Sequence, residues 1–591
     1  MHILILASAF NSLTQRVHAE LRDRGHAVAV ELALPDSRLA ETVRRHAPRL
    51  VVSPMLKTAI PEEVWTAHTC LVVHPGPVGD RGPSSLDWAI HEGVDQWGVT
   101  VLQADGEMDA GDVWASVPCR VPPVSKSELY RGEIADAALE AVLLAVERFA
   151  GSTYVPREQD GAQTAEARPR PYLDQSVRRI DWAEDSTHDV LRKLRAADSQ
   201  PGVLDVLLGR EWYLHGGHPE RVLRGRPGEL LATRAGAVCR ATKDGAVWIP
   251  ELRPRRVPGQ PPTYKLPAVR ALGDLLPPLP DQALPLLPEV RHRTWADIRY
   301  REDGNVGFLS FSFPGGAMST EQCRRLLDAY REACERPTSV LVLGGERDFF
   351  SNGIHLGVIE AADDPAAESW ANINAIDDLV EAVLTTTDRL VVAAVAGNAA
   401  AGGVMLALAA DEVWCRSGAV LNPHYRLMGL YGSEYWTHTL PRRVGAATAE
   451  RLLDEALPVS SASALRLGLV DRVVDCSPDE FAREVGGLAA RLASLPATAS
   501  RITAKKTELD RLESVTPLAG FREQELARMR RTFDDPDAPY HSLRRAFVHK
   551  ERPACTPPHL GPAQVAQTGP TPSAADVTGT ALHGISSRPN G

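Results

Sequence analysis

Short apolar runs alternate with amphipathic stretches over the first 150 residues, and this alternation limits the possible folds of the chain most strongly. The apolar runs have the length of strands and read ILILAS, AVAVELA, LVVSP and CLVVH, while residues 12–24 follow a helical period. Such alternation is typical of βαβ units, so it predicts a mainly parallel α/β sheet. No GxGxxG motif follows the first run, so the pattern does not favour a dinucleotide site.

Changes in composition divide the 591 residues into several domains, because a chain of this length exceeds what one core can hold. Short, Gly-punctuated runs such as VLDVLLG and VWIPEL predict a small β-rich, OB-like domain, and the later runs VGFLSFSF, TSVLVLGG and VVAAV predict a second α/β domain. We expect, in chain order, a catalytic α/β domain over 1–150, a linker over 151–176, the β domain over 177–280, a Pro-rich linker over 281–294, the second α/β domain with C-terminal helices over 295–550, and a disordered tail over 551–591.

The charge balance and the cysteines exclude several classes of function. The net charge is -11 with Lys and Arg scattered, which argues against nucleic-acid binding and against a basic membrane patch. No apolar run reaches the length of about 20 residues that a membrane helix needs, and no basic segment precedes the first run as in a signal peptide. The eight cysteines form no CxxC pair, so we predict no metal site and expect a reducing, cytoplasmic location. These features favour an enzyme that acts on small molecules.

A histidine at the end of a buried strand marks the first candidate site. His74 follows the run CLVV and precedes a Gly/Pro-rich turn, so it projects from the carboxyl edge of the strand, where open α/β sheets place ligands. Asp109 lies in the loop EMDAGD between the strand-like runs VTVLQA and VWASV. At one sheet edge a His and an Asp can share a proton and polarise a carbonyl group. Each segment alone is more often a structural turn, because Asp and Gly suit tight turns.

These segments resemble the N10-formyltetrahydrofolate formyltransferases, such as methionyl-tRNA formyltransferase, whose pattern is Asn-x-His followed by Asp-x-Gly. The resemblance implies that His74 and Asp109 are catalytic and that N10-formyltetrahydrofolate is a substrate. The asparagine of the family falls on Val72, so one polar contact to the formyl oxygen is absent. Asp181-Trp182, the run LRAAD over 194–198 and Gly202 resemble the C-terminal domain of the methionyl-tRNA enzyme.

Two glycine-bearing turns mark the second candidate site. The turn FFSNGIHL contains Gly353 and Ile354, and the turn GNAAAGGV contains Gly402 and Gly403 and opens an Ala-rich helix. Two such turns can direct backbone N–H groups at one carbonyl oxygen, as in an oxyanion hole, and small residues let a thioester approach closely. Either turn alone is a weak signal, because Gly-Gly before a helix commonly serves packing.

The pair of turns resembles the crotonase (enoyl-CoA hydratase/isomerase) superfamily over residues 300–480, as does the later run LGLVD. The resemblance implies that the amides of Ile354 and Gly402 hold the thioester oxygen of an acyl-CoA, and that Gly353 and Gly403 line the coenzyme A site.

The catalytic residues of a hydratase are not carried over. Its two glutamates fall on Met405 and Tyr425, so water addition has no evident catalyst. The polar candidates for other acid–base chemistry are Tyr425, in the run NPHYR, and Glu434, in the run GLYGSEYW. Packing in the core is an equally open role for both, and packing alone is expected for Trp436.

The order of the two modules resembles the HypX/HoxX family of [NiFe]-hydrogenase maturation factors over residues 1–550, most specifically in the strings HPGPVGDRGPSSLDW and GLYGSEYW. The resemblance implies formyl transfer from N10-formyltetrahydrofolate to coenzyme A and decarbonylation of formyl-CoA to CO and CoA. The CO would supply the [NiFe] site, which makes the hydrogenase maturation machinery a partner. Five further residues are expected to line the folate site or the CoA path between the modules, with surface or capping roles equally open: Gln15, Arg131, Ser199, Gln200 and Arg544.

Two other functions fit the same motifs. The first module could formylate another acceptor, such as a sugar amine, while the second acts as an independent acyl-CoA hydrolase or isomerase. Formyl transfer to CoA distinguishes this alternative, which should ignore CoA. The chain could also be a non-catalytic scaffold for hydrogenase assembly, although the retained His74 and Asp109 argue against degenerate sites.

Overall fold

The computed structural model describes residues 1–34, 38–159, 167–287 and 294–561. Its N-terminal module has the strands β1 (His2–Ala7), β2 (Ala27–Leu32), β3 (Leu50–Ser53), β4 (Cys70–His74), β5 (Gln96–Gln103) and β6 (Val113–Arg120) and the helices α1 (Ser12–Asp23), α2 (Leu39–His46), α3 (Glu62–Trp65), α4 (Ser85–Glu92), α5 (Lys126–Leu129) and α6 (Ala135–Gly151). A π-helical turn, Tyr130–Ile134, joins α5 to α6. The strands form one sheet in the order β2-β1-β3-β4-β5-β6.

The first four strands of this sheet are parallel, as predicted, and β5 and β6 are antiparallel. Successive side chains of a strand face opposite sides, so Ile3 and Ile5 pack in a different core from Leu4 and Leu6. Both faces are therefore apolar, and the functional groups lie at the carboxyl edge, where β3 and β4 end in Ser53 and His74.

The small domain that follows is β-rich, as predicted. Its elements are α7 (Gln175–Arg178), α8 (Thr187–Ala197), β7 (Val203–Leu207), β8 (Arg210–His215), β9 (His218–Glu220), β10 (Leu230–Arg234), β11 (Ala237–Ala241), β12 (Ala246–Ile249), β13 (Glu251–Pro254), β14 (Leu266–Pro267) and α9 (Ala268–Leu272). The strands form two four-stranded sheets, in the orders β10-β11-β12-β9 and β14-β13-β8-β7. Val190, Leu191 and Leu194 of α8 fill the core between them.

The C-terminal module starts with an antiparallel pair and continues as a parallel sheet. Its strands are β15 (Ile298–Asp303), β16 (Val306–Phe311), β17 (Val340–Gly344), β18 (Leu390–Val395), β19 (Ala399–Ala400), β20 (Glu412–Arg416), β21 (Val420–Asn422), β22 (Val459–Ser460) and β23 (Arg472–Val474). The main sheet has the order β15-β16-β17-β18-β20-β23, and β19, β21 and β22 form a small second sheet.

Over residues 294–561, which the structure describes, this module has eleven α-helices in addition to its sheets. They are α10 (Thr320–Cys334), α11 (Leu356–Glu360), α12 (Pro365–Thr385), α13 (Gly402–Leu408), α14 (Trp436–Val444), α15 (Ala446–Glu455), α16 (Ser461–Leu467), α17 (Phe481–Ser494), α18 (Ala497–Val515), α19 (Leu518–Asp534) and α20 (Pro539–Val548). The predicted helical region after residue 480 thus consists of four helices, and α19 packs against α12 and α14.

Ion pairs join the two α/β modules. Asp136 of α6 accepts hydrogen bonds from Arg16 of its own module and from Arg416 of β20, and both guanidinium groups are buried. Arg347 of the C-terminal module binds both carboxylate oxygens of Glu133, in the π-helical turn, at 2.9 and 2.8 Å. The modules are therefore held together by two ion pairs across the boundary, Asp136 with Arg416 and Glu133 with Arg347.

The end of the described chain packs back onto the N-terminal module. Thr556 bonds to the backbone of Leu32 and to Glu31, and Leu560 is buried in the core that contains Ile3 and Ile5. The segment 551–561, predicted to belong to a disordered tail, is therefore anchored by these contacts, and residues 562–591 lie outside the described residues. Within the ranges described above, no helix is long and apolar enough to cross a membrane.

Candidate active sites in the two modules

His74 is the last residue of β4 and is almost fully buried. Its Nε2 lies 2.8 Å from Asp80 Oδ2, and its Nδ1 lies 3.5 Å from Asp109 Oδ1. The Asp80 carboxylate is held in turn by the buried Arg170, whose Nη1 donates to Oδ1 at 3.0 Å. Asp109 is the more open of the two carboxylates. Asp80 therefore fixes the ring, while the longer contact to Asp109 lies on the side that a substrate can reach.

The two carboxylates favour the protonated form of His74. Burial lowers the pKa of His74, but hydrogen bonds and charges from Asp109 and Asp80 outweigh it and raise the pKa to about 9. Burial likewise raises the pKa of Asp109, but the hydrogen bond and the positive charge of His74 outweigh it, so this pKa lies below its usual value. At neutral pH the site holds an imidazolium between carboxylates and can donate a proton.

Close contacts around His74 explain the glycine at position 76, and Asp109 has a positive φ angle. A β-carbon on Gly76 would lie 2.4 Å from Asp80 Oδ2 and 2.5 Å from His74 Nε2, so only glycine leaves room for their hydrogen bond. Asp109 itself has a φ of 58°, and its Oδ2 accepts a hydrogen bond from the Gly82 N–H at 3.2 Å. The turn residues noted in the sequence thus position the two acidic groups around His74.

A serine lies beside the position that the formyltransferase asparagine would occupy. The register of β3 and β4 pairs Val72 with Ser53, so the two side chains share the face of the sheet on which His74 also lies. The Ser53 hydroxyl is completely buried and has no hydrogen-bond partner within the described part of the chain. Sequence reasoning missed it, because a single serine at a strand end carries no signal of its own.

In the C-terminal module, the two predicted turns lie side by side. Ser351 and Ala399 pair in a β-bridge, and a β-carbon on Gly353 would lie 3.2 Å from the Gly402 nitrogen. Gly402 is the first residue of α13. Among the residues described, neither its N–H group nor that of Ile354 has a hydrogen-bond acceptor. The structure thus brings together two unpaired amide donors, the arrangement that an oxyanion site requires.

Tyr425 and Glu434 are both buried beside these amides. The Tyr425 hydroxyl donates to Glu434 Oε2 at 2.7 Å, and a β-carbon on Gly402 would lie 2.1 Å from Glu434 Oε1. Burial raises the pKa of Glu434 to about 7, and it raises the pKa of Tyr425 well above its usual value. Glu434 can therefore exchange a proton near neutral pH, and Tyr425 stays a hydrogen-bond donor. Met405, on the other hydratase position, is fully buried.

Two buried carboxyl groups that sequence reasoning missed support Glu434. Asp377 of α12 accepts from the Glu434 N–H at 2.8 Å, and Glu525 of α19 accepts from the Tyr435 N–H at 2.9 Å. Each acid interrupts the apolar face of its helix, since Ile373, Ile376 and Val380 flank Asp377 at helical spacing. An acidic residue on such a face is a usable signal, because buried carboxyl groups are rare without a partner.

The five additional candidates divide into two sets. Arg131 binds both oxygens of Asp348 at 2.7 and 2.6 Å and lies over the ring of Phe349. Near the neighbouring helix α5, the Gln200 carbonyl accepts a hydrogen bond from Lys126, and Ser199 follows Asp198. Burial lowers the pKa of Arg131, but the carboxylates of Asp348 and Asp198 outweigh it and raise this pKa.

Gln15 and Arg544 have other partners. The Gln15 amide donates to the Phe10 carbonyl, and the buried Arg544 binds Glu360 at 2.8 Å. Within the described ranges, no hydrogen bond or ion pair joins them to the Arg131 set. Also within those ranges, no group of three or more His, Cys, Asp or Glu residues could hold a metal ion.

Family models match three parts of the chain. They are formyl transferase over residues 32–146, formyl transferase C-terminal domain over 173–260, and enoyl-CoA hydratase/isomerase over 304–555. The first two parts are also similar to the methionyl-tRNA formyltransferase of Anaeromyxobacter dehalogenans, which is 30% identical over 36% of this chain and 66% of the relative.

Two relatives span nearly the whole chain. The hydrogenase maturation factor HoxX of Bradyrhizobium diazoefficiens is 49% identical over 94% of this chain and 96% of the relative. The crystal structure of HypX from Aquifex aeolicus in complex with tetrahydrofolic acid superposes with a TM-score of 0.91 at 43% identity, covering 95% of this chain and 98% of that one. The chain therefore belongs to the HypX/HoxX family of hydrogenase maturation factors.

Proposed function

We propose that this chain makes carbon monoxide for [NiFe]-hydrogenase assembly in two steps. The N-terminal site transfers the formyl group of N10-formyltetrahydrofolate to coenzyme A, and the C-terminal site converts formyl-CoA into CO and CoA. The observation that carries the proposal is the pair of free amides of Ile354 and Gly402 beside the buried Glu434, in one chain with the His74 site. Tetrahydrofolic acid in the crystals of the Aquifex aeolicus relative supports a folate at the first site.

In the first step, the CoA sulfur attacks the formyl carbon and the bond from that carbon to N10 breaks. His74 donates its proton to the departing N10, which its raised pKa permits. Asp109, the more accessible carboxylate, takes the thiol proton and returns it to His74. The products are tetrahydrofolate and formyl-CoA. The change from asparagine to Val72 supports a different acceptor from that of the methionyl-tRNA enzyme.

In the second step, the amides of Ile354 and Gly402 bind the formyl oxygen. Glu434 removes the formyl proton, the C–H electron pair stays on carbon as the lone pair of CO, and the C–S electron pair leaves with sulfur. The thiolate then takes the proton from Glu434, so CO and CoA are the products. Tyr425 orients Glu434 through its 2.7 Å hydrogen bond. Gly353 and Gly403 let the two turns approach each other closely. A β-carbon on Gly403 would lie 2.1 Å from the backbone carbonyl oxygen of Ser351.

The contacts between the modules support transfer of the intermediate within one molecule. Arg131 belongs to the N-terminal module, and its partner Asp348 precedes the turn that carries Ile354. Arg131, Ser199 and Gln200 are the residues that we propose to hold CoA along this boundary, with Gln15 and Arg544 as further contacts to folate or CoA. Joining two sites raises the local concentration of formyl-CoA at the second site.

The experiment that tests the proposal measures CO release by the absorbance of haemoglobin. Purified protein receives N10-formyltetrahydrofolate and CoA, and reactions without one substrate and with His74→Ala serve as controls. CO that requires both substrates and His74 is the expected result. Folate deformylation without CO would favour another acceptor, such as a sugar amine, and absence of folate turnover would favour a scaffold.

A further inference from the structure

The segment from Ser433 to Thr437 is held by carboxyl groups of two distant helices. Asp377 Oδ1 accepts from the Ser433 hydroxyl at 2.9 Å and from the Glu434 N–H at 2.8 Å. Glu525 accepts from the N–H groups of Tyr435 and Thr437 at 2.9 and 2.8 Å. Three backbone N–H groups of one short segment, those of Glu434, Tyr435 and Thr437, thus donate to side chains of α12 and α19.

The same segment has an unfavourable backbone conformation. Glu434 has a φ of 58° and Tyr435 a φ of 59°, in the left-handed region that residues other than glycine rarely adopt. Such a conformation persists only where surrounding contacts impose it. The acceptor oxygens of Asp377 and Glu525 supply those contacts, and the result is that the Glu434 carboxylate lies against Gly402.

The second oxygen of Asp377 indicates its ionisation state. Asp377 is completely buried, and its Oδ2 has no hydrogen-bond partner within the part of the chain that the structure describes. A proton on Oδ2 would lack an acceptor, but an ionised carboxylate with a bare buried oxygen costs more, because burying an unpaired charge costs more than burying an unpaired hydroxyl group. Burial and the charge of Glu434 raise the pKa of Asp377 to about 8.

The positive charge of Arg522 lowers the pKa of Asp377, but burial and the charge of Glu434 outweigh it. Arg522 of α19 is the nearby cation, but its guanidinium binds Asp378 and Glu381 instead. Among the described residues, the titratable and charged groups that face the Asp377–Glu434 pair are Cys323 on α10, Tyr425, Tyr435, and Arg522 and Glu525 on α19.

We infer that Asp377 is a positioning residue that acts as a neutral acid. Its carbonyl oxygen holds Glu434 against Gly402. Because Asp377 keeps its proton, the negative charge of the pair lies on Glu434. This inference rests on the proposed decarbonylation. Above about pH 8, the pKa of Asp377, its ionisation would place two like charges side by side and displace the Glu434 segment. CO release should therefore fall at alkaline pH.

The test compares Asp377→Asn with Asp377→Ala, using formyl-CoA added directly and CO as the product. The asparagine keeps an acceptor oxygen and cannot ionise, so kcat at pH 7 should stay within about threefold of the unchanged protein, while the alanine variant should lose about 100-fold in kcat with little change in KM. The alkaline fall in rate should disappear in Asp377→Asn. Asp363→Asn, which removes an exposed carboxylate next to α12, should keep both the rate and the alkaline fall.

Each other outcome is informative. If Asp377→Asn loses as much activity at pH 7 as Asp377→Ala, or keeps the alkaline fall, the neutral-acid role is wrong. If Asp377→Ala does not fold, the pH profile of Asp377→Asn still tests the neutral-acid role, because only loss of the alkaline fall in rate agrees with it. If the unchanged protein releases no CO from formyl-CoA, the proposed second step fails, and the inference fails with it.

Discussion

The Tyr425 hydroxyl and Glu434 Oε2 share a buried hydrogen bond of 2.7 Å. A buried carboxyl group with one hydroxyl donor can take up and release a proton without entering water, because its partner remains neutral. Tyr425 stands on one of the two positions where a hydratase would place a carboxylate, and Met405 stands on the other, so we propose that the module removes a proton rather than adds water.

Substitution within the Tyr425–Glu434 pair should separate the two steps. Glu434→Gln removes the base and should lower CO release by about 100-fold or more, and Tyr425→Phe should lower it by about 10-fold, since orientation is lost but the base remains. Formyl-CoA should accumulate in both variants when formyl-tetrahydrofolate and CoA are supplied, as measured by chromatography of the CoA esters. If both variants release CO at the unchanged rate, this assignment of Tyr425 and Glu434 is wrong.

Gly402→Ala should abolish CO release while formyl transfer continues. Its β-carbon would lie 2.1 Å from Glu434 Oε1, so the carboxylate must move away from the oxyanion site. The matched control is Gly487→Ala in α17, where a β-carbon meets no atom within 4 Å. That control should keep full activity and gain about 0.5–1 kcal/mol of stability, because alanine favours a helix. Equal CO release by both variants would contradict the placement of Glu434.

The stability contributed by His74 should depend on pH. Because the pKa of His74 is raised from 6.5 to about 9, its contribution is fully present below pH 6.5 and is lost as the pH rises through about 9. Urea unfolding of the unchanged protein and of His74→Ala should therefore differ most at low pH, and the difference should shrink by about 3 kcal/mol by pH 9.5. A difference that stays constant across this range would show that His74 is not held as an imidazolium.

Asp136→Asn should destabilise the contact between the modules. Arg16 and Arg416 are both buried and both bind Asp136, so the substitution leaves two guanidinium groups without an anionic partner at this position. We expect a loss of about 3 kcal/mol in the free energy of unfolding, measured by denaturant titration. Glu508→Gln, which affects exposed pairs with Arg442 and Arg511, should leave the free energy of unfolding nearly unchanged, because solvent screens such pairs. Equal losses in the two variants would contradict a structural role for the buried pair.

Local patterns in the sequence were sufficient for the elements that carry their own signal. The run VGFLSFSF predicts the strand Val306–Phe311, and the turns around Ile354 and Gly402 each combine a strand, tight glycines and a helix start. The strand Ile298–Asp303 was missed, because its sequence IRYRED is largely charged and only pairing with β16 makes it a strand.

Contacts between distant segments could not be predicted in this way. Asp80 lies inside a run that the sequence already singles out, but its role depends on Arg170, which lies 90 residues later in the segment before α7. Asp377 and Glu525 meet the Glu434 segment only because α12 and α19 pack together. Burial and the direction of each side chain are tertiary properties, so spacing alone does not reveal them.

The most direct test of the two-step account supplies His74→Ala with formyl-CoA instead of formyl-tetrahydrofolate. We expect this variant to release CO from formyl-CoA as fast as the unchanged protein and to release none from formyl-tetrahydrofolate and CoA. Loss of CO release from both sources, in a variant that remains folded, would contradict the division of the reaction between the two sites.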